Sequence, residues 1–219
     1  MKTSWNRHLF YRRESWRTTW KLRISLLILV IVLVPATHRF WAPRVARSLV
    51  CDEQIQPSDA FLLENFDPDY LVFERTTTLQ RSGVATKAFV PVVIDDDSGN
   101  PNLIQKGIAD LMAGVSRIQS MEIIPIRETE PISLNAARQI RDVLVSRQVK
   151  SIIVVTPGFR SRRSMMVYSS VLAPVGITTH CAPVIGATTI DNWTETWHGV
   201  QGVVEQFIKL QYYRFWVLR

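Results

Sequence analysis

SIIVVTPGFRSRRS, residues 151–164, is the stretch on which the fold turns. Residues 152–155 are a run of β-branched side chains, the mark of a strand buried on both faces. Thr156-Pro157-Gly158 breaks the run, and helical spacing resumes over 161–172. Residues 159–163 are therefore expected where a strand hands over to a helix. Open α/β sheets bind ligands there, beyond the carboxyl ends of their strands. Arg160, Arg162 and Arg163 lie beside the free N–H groups of a helix start, which points to anion binding. Each charge-assisted hydrogen bond to a phosphate or carboxylate contributes about 1.5–3 kcal/mol. Neighbours on a helix point ~100° apart, so Arg162 and Arg163 cannot both face one site.

The same alternation extends in both directions. Strands are predicted over 59–63, 88–94, 122–126, 151–156 and 178–185, and helices over 70–82, 103–115, 133–145, 161–172 and 192–216. Ser133 reads as the cap of its helix. In the last helix Val200, Val203, Val204, Phe207, Leu210 and Gln211 fall at core-facing spacing. Strands alternating with helices make βαβ units. The expected fold class is α/β: a Rossmann-like three-layer sandwich with a mainly parallel five-stranded sheet, preceded by one N-terminal transmembrane helix.

That helix is read from the start of the chain. Seven basic residues against Glu14 place +6 of the net +7 charge within residues 1–23. The other 196 residues carry only +1, which removes most of the case for a nucleic-acid partner. Residues 24–36 (ISLLILVIVLVPA) carry no charge, and Trp20 and Phe40-Trp41 bracket them as interfacial aromatics do. The expected organisation is a cytoplasmic basic tail over 1–21, an anchor over 22–41, a linker over 42–57 with one helical turn near 44–50, and the α/β domain over 58–219. The positive-inside bias puts the N-terminus in the cytoplasm and the domain outside. A cleaved signal peptide and a buried core helix are the alternatives. Cys51 and Cys181 show no metal spacing; they are either one disulfide or two unpaired thiols.

Residues that follow the strands carry the chemistry. They are Glu64, Asn65 and Asp67; Asp95, Asp96 and Asp97; Arg127, Glu128, Glu130, Ser133 and Asn135; Thr156 and the arginines; and Asp191, Asn192, Trp193, Trp197 and His198. Ser133, Asn135, Thr156, Arg160, Arg162 and Arg163 are the expected ligand-binding set. Glu128 and His198 are the acid–base candidates. The competing reading makes the arginines a solvated face paired with Glu128 or Glu130. The acidic run Asp95-Asp96-Asp97 continues as SGNP, a turn composition, so no metal is expected there, and no cofactor elsewhere. GxGxxG, P-loop and GxSxG motifs are absent.

Three segments together resemble the YdcF-like family of bacterial envelope proteins, including its SanA and ElyC branches. They are ISLNAARQIRDVL at 132–144, IIVVTPGFRSRRSMMVY at 152–168, and NWTETWHGVQGVVEQFIKLQYY at 192–213. The resemblance covers about 58–216. It implies a Rossmann-like domain tied to the envelope of a bacterial inner-membrane protein, and peptidoglycan-precursor or polyprenyl-phosphate handling. It also implies two alternatives, an S-adenosylmethionine-binding domain and a non-catalytic module for an envelope protein partner. The sequence departs from the family where Arg160 replaces a histidine. It departs again where Leu63-Glu64-Asn65-Phe66 and Asp95-Asp96-Asp97 replace glycine-rich turns. Those changes remove the obvious acid–base group and the close backbone approach that glycine permits.

Overall fold

The computed structural model describes residues 19–66, 69–95 and 99–219. The basic residues before 19, together with Asp67, Asp96 and Asp97, lie outside the described residues. The chain divides into two units, Met1–Trp41 and Ala42–Arg219.

In the first unit, helix α1 (Trp20–Ala36) is capped by Thr19, whose side chain accepts from Leu22 N–H. None of its residues is buried. The helix stops at Thr37, whose N–H and Oγ1 both donate to Leu33 O, at 2.9 and 2.6 Å. Helix α2 (His38–Leu49) follows at once. The expected span over 22–41 is therefore not one helix. No single helix among the described residues is long and apolar enough to cross a membrane, although α1 and α2 pass that test together as a bent pair.

The expected linker is also more structured than its composition suggested. Ala42, Ala46 and Leu49, spaced i, i+4, i+7 on α2, are buried in the second unit, and Trp193 Nε1 donates to Ala42 O at 3.1 Å. Tertiary burial supplies what the Pro43-containing sequence lacks in helix propensity. Past α2, Cys51 is bonded to Cys181, and Gln54 N–H donates to Cys181 O at 2.8 Å. The two cysteines are thus one disulfide.

The second unit contains strands β1 (Ala60–Leu63), β2 (Lys87–Val93), β3 (Met121–Ile126), β4 (Ser151–Pro157) and β5 (Thr178–Val184). The helices between them are α3 (Tyr70–Arg81), α4 (Leu103–Ser116), α5 (Ile132–Ser146) and α6 (Gly158–Leu172). The sheet order is β3-β2-β1-β4-β5, and every pairing is parallel, not merely most of them. Side chains alternate across it with period two. Ala60 and Leu62 pack with α5 and α6 on one face, while Phe61 and Leu63 pack with α3 and α4 on the other. This is the three-layer α/β arrangement, and the strand order agrees with the Rossmann-like expectation.

Two element boundaries matter for the site. α6 begins directly after β4, so residues 159–163 lie in its first turns and not in a loop before Ser161. Gly158 permits that abrupt handover, because a Cβ there would sit 2.2 Å from Ile185 Cδ1 and 3.3 Å from Val184 O. α5 begins at Ile132 behind Pro131 with no side-chain cap, so Ser133 is not the cap expected of it.

The final helix is shorter than 192–216. A 3₁₀ turn, Trp193–Glu195, precedes α7 (Trp197–Tyr212), and a π turn, Tyr213–Val217, follows it. Of its expected core positions Val203 and Leu210 are buried, while Val204 and Phe207 are exposed because they lie on the outer face. Thr196 caps α7 by accepting from Gly199 N–H at 3.0 Å. A Cβ on Gly199 would meet Trp193 O at 2.3 Å, and backbone cannot swing aside as a side chain can. Gly199→Ala is expected to destabilise the domain by about 1–3 kcal/mol, the usual cost of overpacking. Urea unfolding measures it; an unchanged midpoint would mean the Trp193 turn yields freely.

Candidate functional site

The chain leaves β1 toward β2 on one side, while β4 lies on the other side of β1. That reversal is the topological switch point, where a crevice opens beyond the strand ends. Two residues meet there. Glu64 directly follows β1, and Thr156 is near the end of β4. Both are buried, Glu64 at 2% exposure. Thr156 Oγ1 donates to Glu64 Oε2, and Ser164 Oγ bridges both carboxylate oxygens at 2.8 and 2.7 Å. Ser164 reaches across because it lies on the buried face of α6, one turn beyond Arg160. Both carboxylate oxygens of Glu64 are thus engaged by hydroxyls. Asn65, buried beside it, has an Oδ1 with no partner among the described residues.

Arg163 sits over this group at 6% exposure. Its Nη1 donates to Ser133 Oγ at 2.7 Å and its Nη2 to Gln206 Oε1 at 3.3 Å. Its guanidinium carbon lies 5.4 Å from the centre of the Tyr213 ring, within cation–π range. The Tyr213 hydroxyl in turn accepts from Ser133 N–H at 3.0 Å. Ser133 is therefore an acceptor for Arg163, and Tyr213 holds its backbone in place. Burial pushes the Arg163 pKa down; the negative charge of Glu64 opposes that, and nearby Arg160 adds to it. Below the pair, burial and the charge of Glu64 hold the Tyr168 phenol well above its ordinary value, so it stays protonated. Arg163 Nε–H, also buried, has no hydrogen-bond partner among the described residues.

A cleft of about 380 Å³ opens onto these groups. Arg160, Arg163 and Lys209 face Glu64, Glu128 and Glu130 across it, so its formal charges cancel. Phe66, Tyr212 and Tyr213 supply aromatic walls. The carboxylates are not equivalent, since Glu64 is buried and accepts from two hydroxyls while Glu128 and Glu130 are exposed at the rim. A second cleft of about 370 Å³ lies beside the first, along 157–160 and 184–188. Arg160 lines both clefts. The start of α6, which no side chain caps, opens on the second.

The structure brings together Ser133, Thr156, Arg160, Arg163 and Glu128 from the expected set. It separates three others. Arg162 is half-buried on another side of α6, 3.9 Å from Asp52, which accords with the different directions of neighbouring helix residues. Asn135 closes the turn before α5 by donating to Thr129 O and Glu130 O at 3.0 and 2.9 Å. His198 is exposed at the start of α7 and lines neither cleft. Arg163 does not belong to a solvated face paired with Glu128 or Glu130, because it is buried and bonded to Ser133 and Gln206. Sequence reading missed Ser164, Gln206, Lys209, Tyr212 and Tyr213. Ser164 left one signal: Ser161 and Ser164 are small polar residues on the face that Val167, Tyr168 and Val171 bury. A polar residue on a core face needs a partner.

Neither the protein-family models nor the curated proteins give a match to this chain.

Proposed function

We propose that this is a membrane-anchored bacterial protein whose extracytoplasmic α/β domain binds an anionic, phosphate-bearing precursor of the cell envelope. Its role would be in envelope biogenesis or barrier maintenance, and a polyprenyl phosphate is the simplest ligand of that class. One observation carries the reading: Arg163 is held buried at the switch point, and among the described residues two of its five N–H donors are committed while its buried Nε–H has no partner. A phosphate placed between Arg163 and Arg160 gains bidentate contacts in a low-dielectric wall. The cancelling charges fit a ligand that also carries hydroxyls, for which Glu128 and Glu130 are acceptors.

The disulfide supports an oxidising, extracytoplasmic setting, and so weighs against an S-adenosylmethionine site. The uncharged, wholly exposed middle of α1 supports the anchor. A second reading, a protein-interaction module, is favoured by one feature, the exposed stripe Leu103, Ile104, Leu111 and Val115 on α4.

Binding of farnesyl phosphate by the full chain in detergent, measured by titration calorimetry, tests the first reading. Arg160→Ala and Arg163→Lys are each expected to weaken it about tenfold or more, one lost charge-assisted bond apiece. Farnesol, lacking the phosphate, is expected not to bind. Equal affinity in both variants and wild type would remove the site assignment.

A further inference from the structure

α7 is amphipathic in an unexpected sense: its apolar residues face both ways. Val203 and Leu210 pack inward, whereas Trp197, Val204, Ile208 and Tyr212 form a second stripe at i, i+7, i+11, i+15 that is open to solvent. The π turn extends the stripe with Phe215 and Trp216. Exposure reaches 73% for Trp197, 61% for Ile208 and 76% for Trp216. Bulky aromatics at both ends of an outward apolar face are costly to leave in water, and a contiguous exposed face of this kind marks an interaction surface.

Charge selects the partner. From Trp197 to the last residue, Lys209, Arg214 and Arg219 stand against Glu205 alone, a net of +2. Lys209 and Glu205 pair with each other at 2.5 Å, which leaves Arg214 and Arg219 as the charges of the far end. Arg214 lies 5.8 Å from the Phe215 ring centre. Tryptophan and tyrosine interleaved with basic residues are the composition of a helix lying in a membrane interface. Basic residues next to an anionic leaflet contribute about 1 kcal/mol each.

We infer that the outer face of α7 and its π turn form an interfacial contact with an anionic lipid bilayer. One consequence rests on the ligand reading above. Lys209 and Tyr212 also line the cleft that opens onto Glu64 and Arg163, so a bilayer against this face would place the cleft mouth at the headgroups. The phosphate would then reach the cleft on a lipid and not as a free anion.

The full chain reconstituted into phosphatidylcholine vesicles, with and without phosphatidylglycerol and with brominated lipid as quencher, tests the contact. The Trp216 signal is the difference between wild type and Trp216→Phe. In anionic vesicles it is expected to lie to the blue and to lose most of its intensity to the bromolipid. Arg214→Gln/Arg219→Gln is expected to reduce that quenching to its level in neutral vesicles. A Trp216 signal at the wavelength of a water-exposed indole, unquenched in anionic vesicles, overturns the contact. So does a water-excluded but unquenched signal with crosslinking of two copies through this face, which would make it a dimer interface. Arg160→Ala leaves the quenching unchanged if the contact is right, even where the ligand assignment fails, so the two readings fail separately.

Discussion

Replacing both Cys51 and Cys181 by serine is expected to lower the thermal midpoint of the domain by on the order of 10 °C. The bridge spans 130 residues of sequence, from the segment after α2 to the edge strand β5. Closing a loop of that size restricts the unfolded chain by about 5 kcal/mol in the chain-entropy model, and removing a native bridge typically costs about 2–5 kcal/mol. At ~2–4 °C per kcal/mol for a domain of this length, the midpoint moves by roughly that amount. The loss should extend beyond entropy. Gln54 N–H reaches Cys181 O, and Cys51 N–H donates to Ser161 Oγ at 2.9 Å, so the bridge also secures contacts of the segment with β5 and α6. Scanning calorimetry of the double variant, and of wild type with and without reductant, measures the effect. Coincident midpoints would show that these contacts hold the segment without the covalent bond.

Glu64→Ala should cost about 2–5 kcal/mol, because it leaves two buried hydroxyls without their acceptor, at about 1–3 kcal/mol each. Two hydroxyl donors, Thr156 and Ser164, would lose their acceptor, and Arg163 would lose the negative charge that offsets its burial. Glu64→Gln keeps the shape and an acceptor oxygen, so it should cost less, about 1–3 kcal/mol. The decisive measurement is a double-mutant cycle with Arg163→Met. If Glu64 serves chiefly to balance Arg163, the Glu64→Gln/Arg163→Met pair is less destabilised than the sum of its singles, by an interaction energy of about 1–3 kcal/mol. Strict additivity in denaturant unfolding would mean that Glu64 is held for its hydroxyl partners alone.

Much of this architecture was legible in the chain because the sheet is buried on both faces. Such strands appear as short apolar runs, and 152–155 is the clearest of them. The α5 and α6 segments carried their periodicity, and the Pro-Gly step marked where β4 ends. The abrupt start of α6 at Gly158 was less visible, since it depends on how closely Ile185 and Val184 approach from β5 and the turn after it. Boundaries of that kind are set by neighbours in space.

The binding site divides in the same way. Sequence by itself determined the α/β class, the place of the arginines at a strand–helix junction, and the impossibility of Arg162 and Arg163 sharing a face. Those follow from local periodicity and from the 3.6-residue turn. Only the tertiary structure decided which arginine is buried and what holds it. Ser133 and Gln206 lie 30 and 43 residues from Arg163 in sequence, and Glu64 lies 100 residues from Ser164. It also decided that Cys51 meets Cys181, which two isolated cysteines left open. Periodicity records which way a side chain points from its own element. What it meets there depends on the order of the strands, and that order is fixed by packing across the whole sheet.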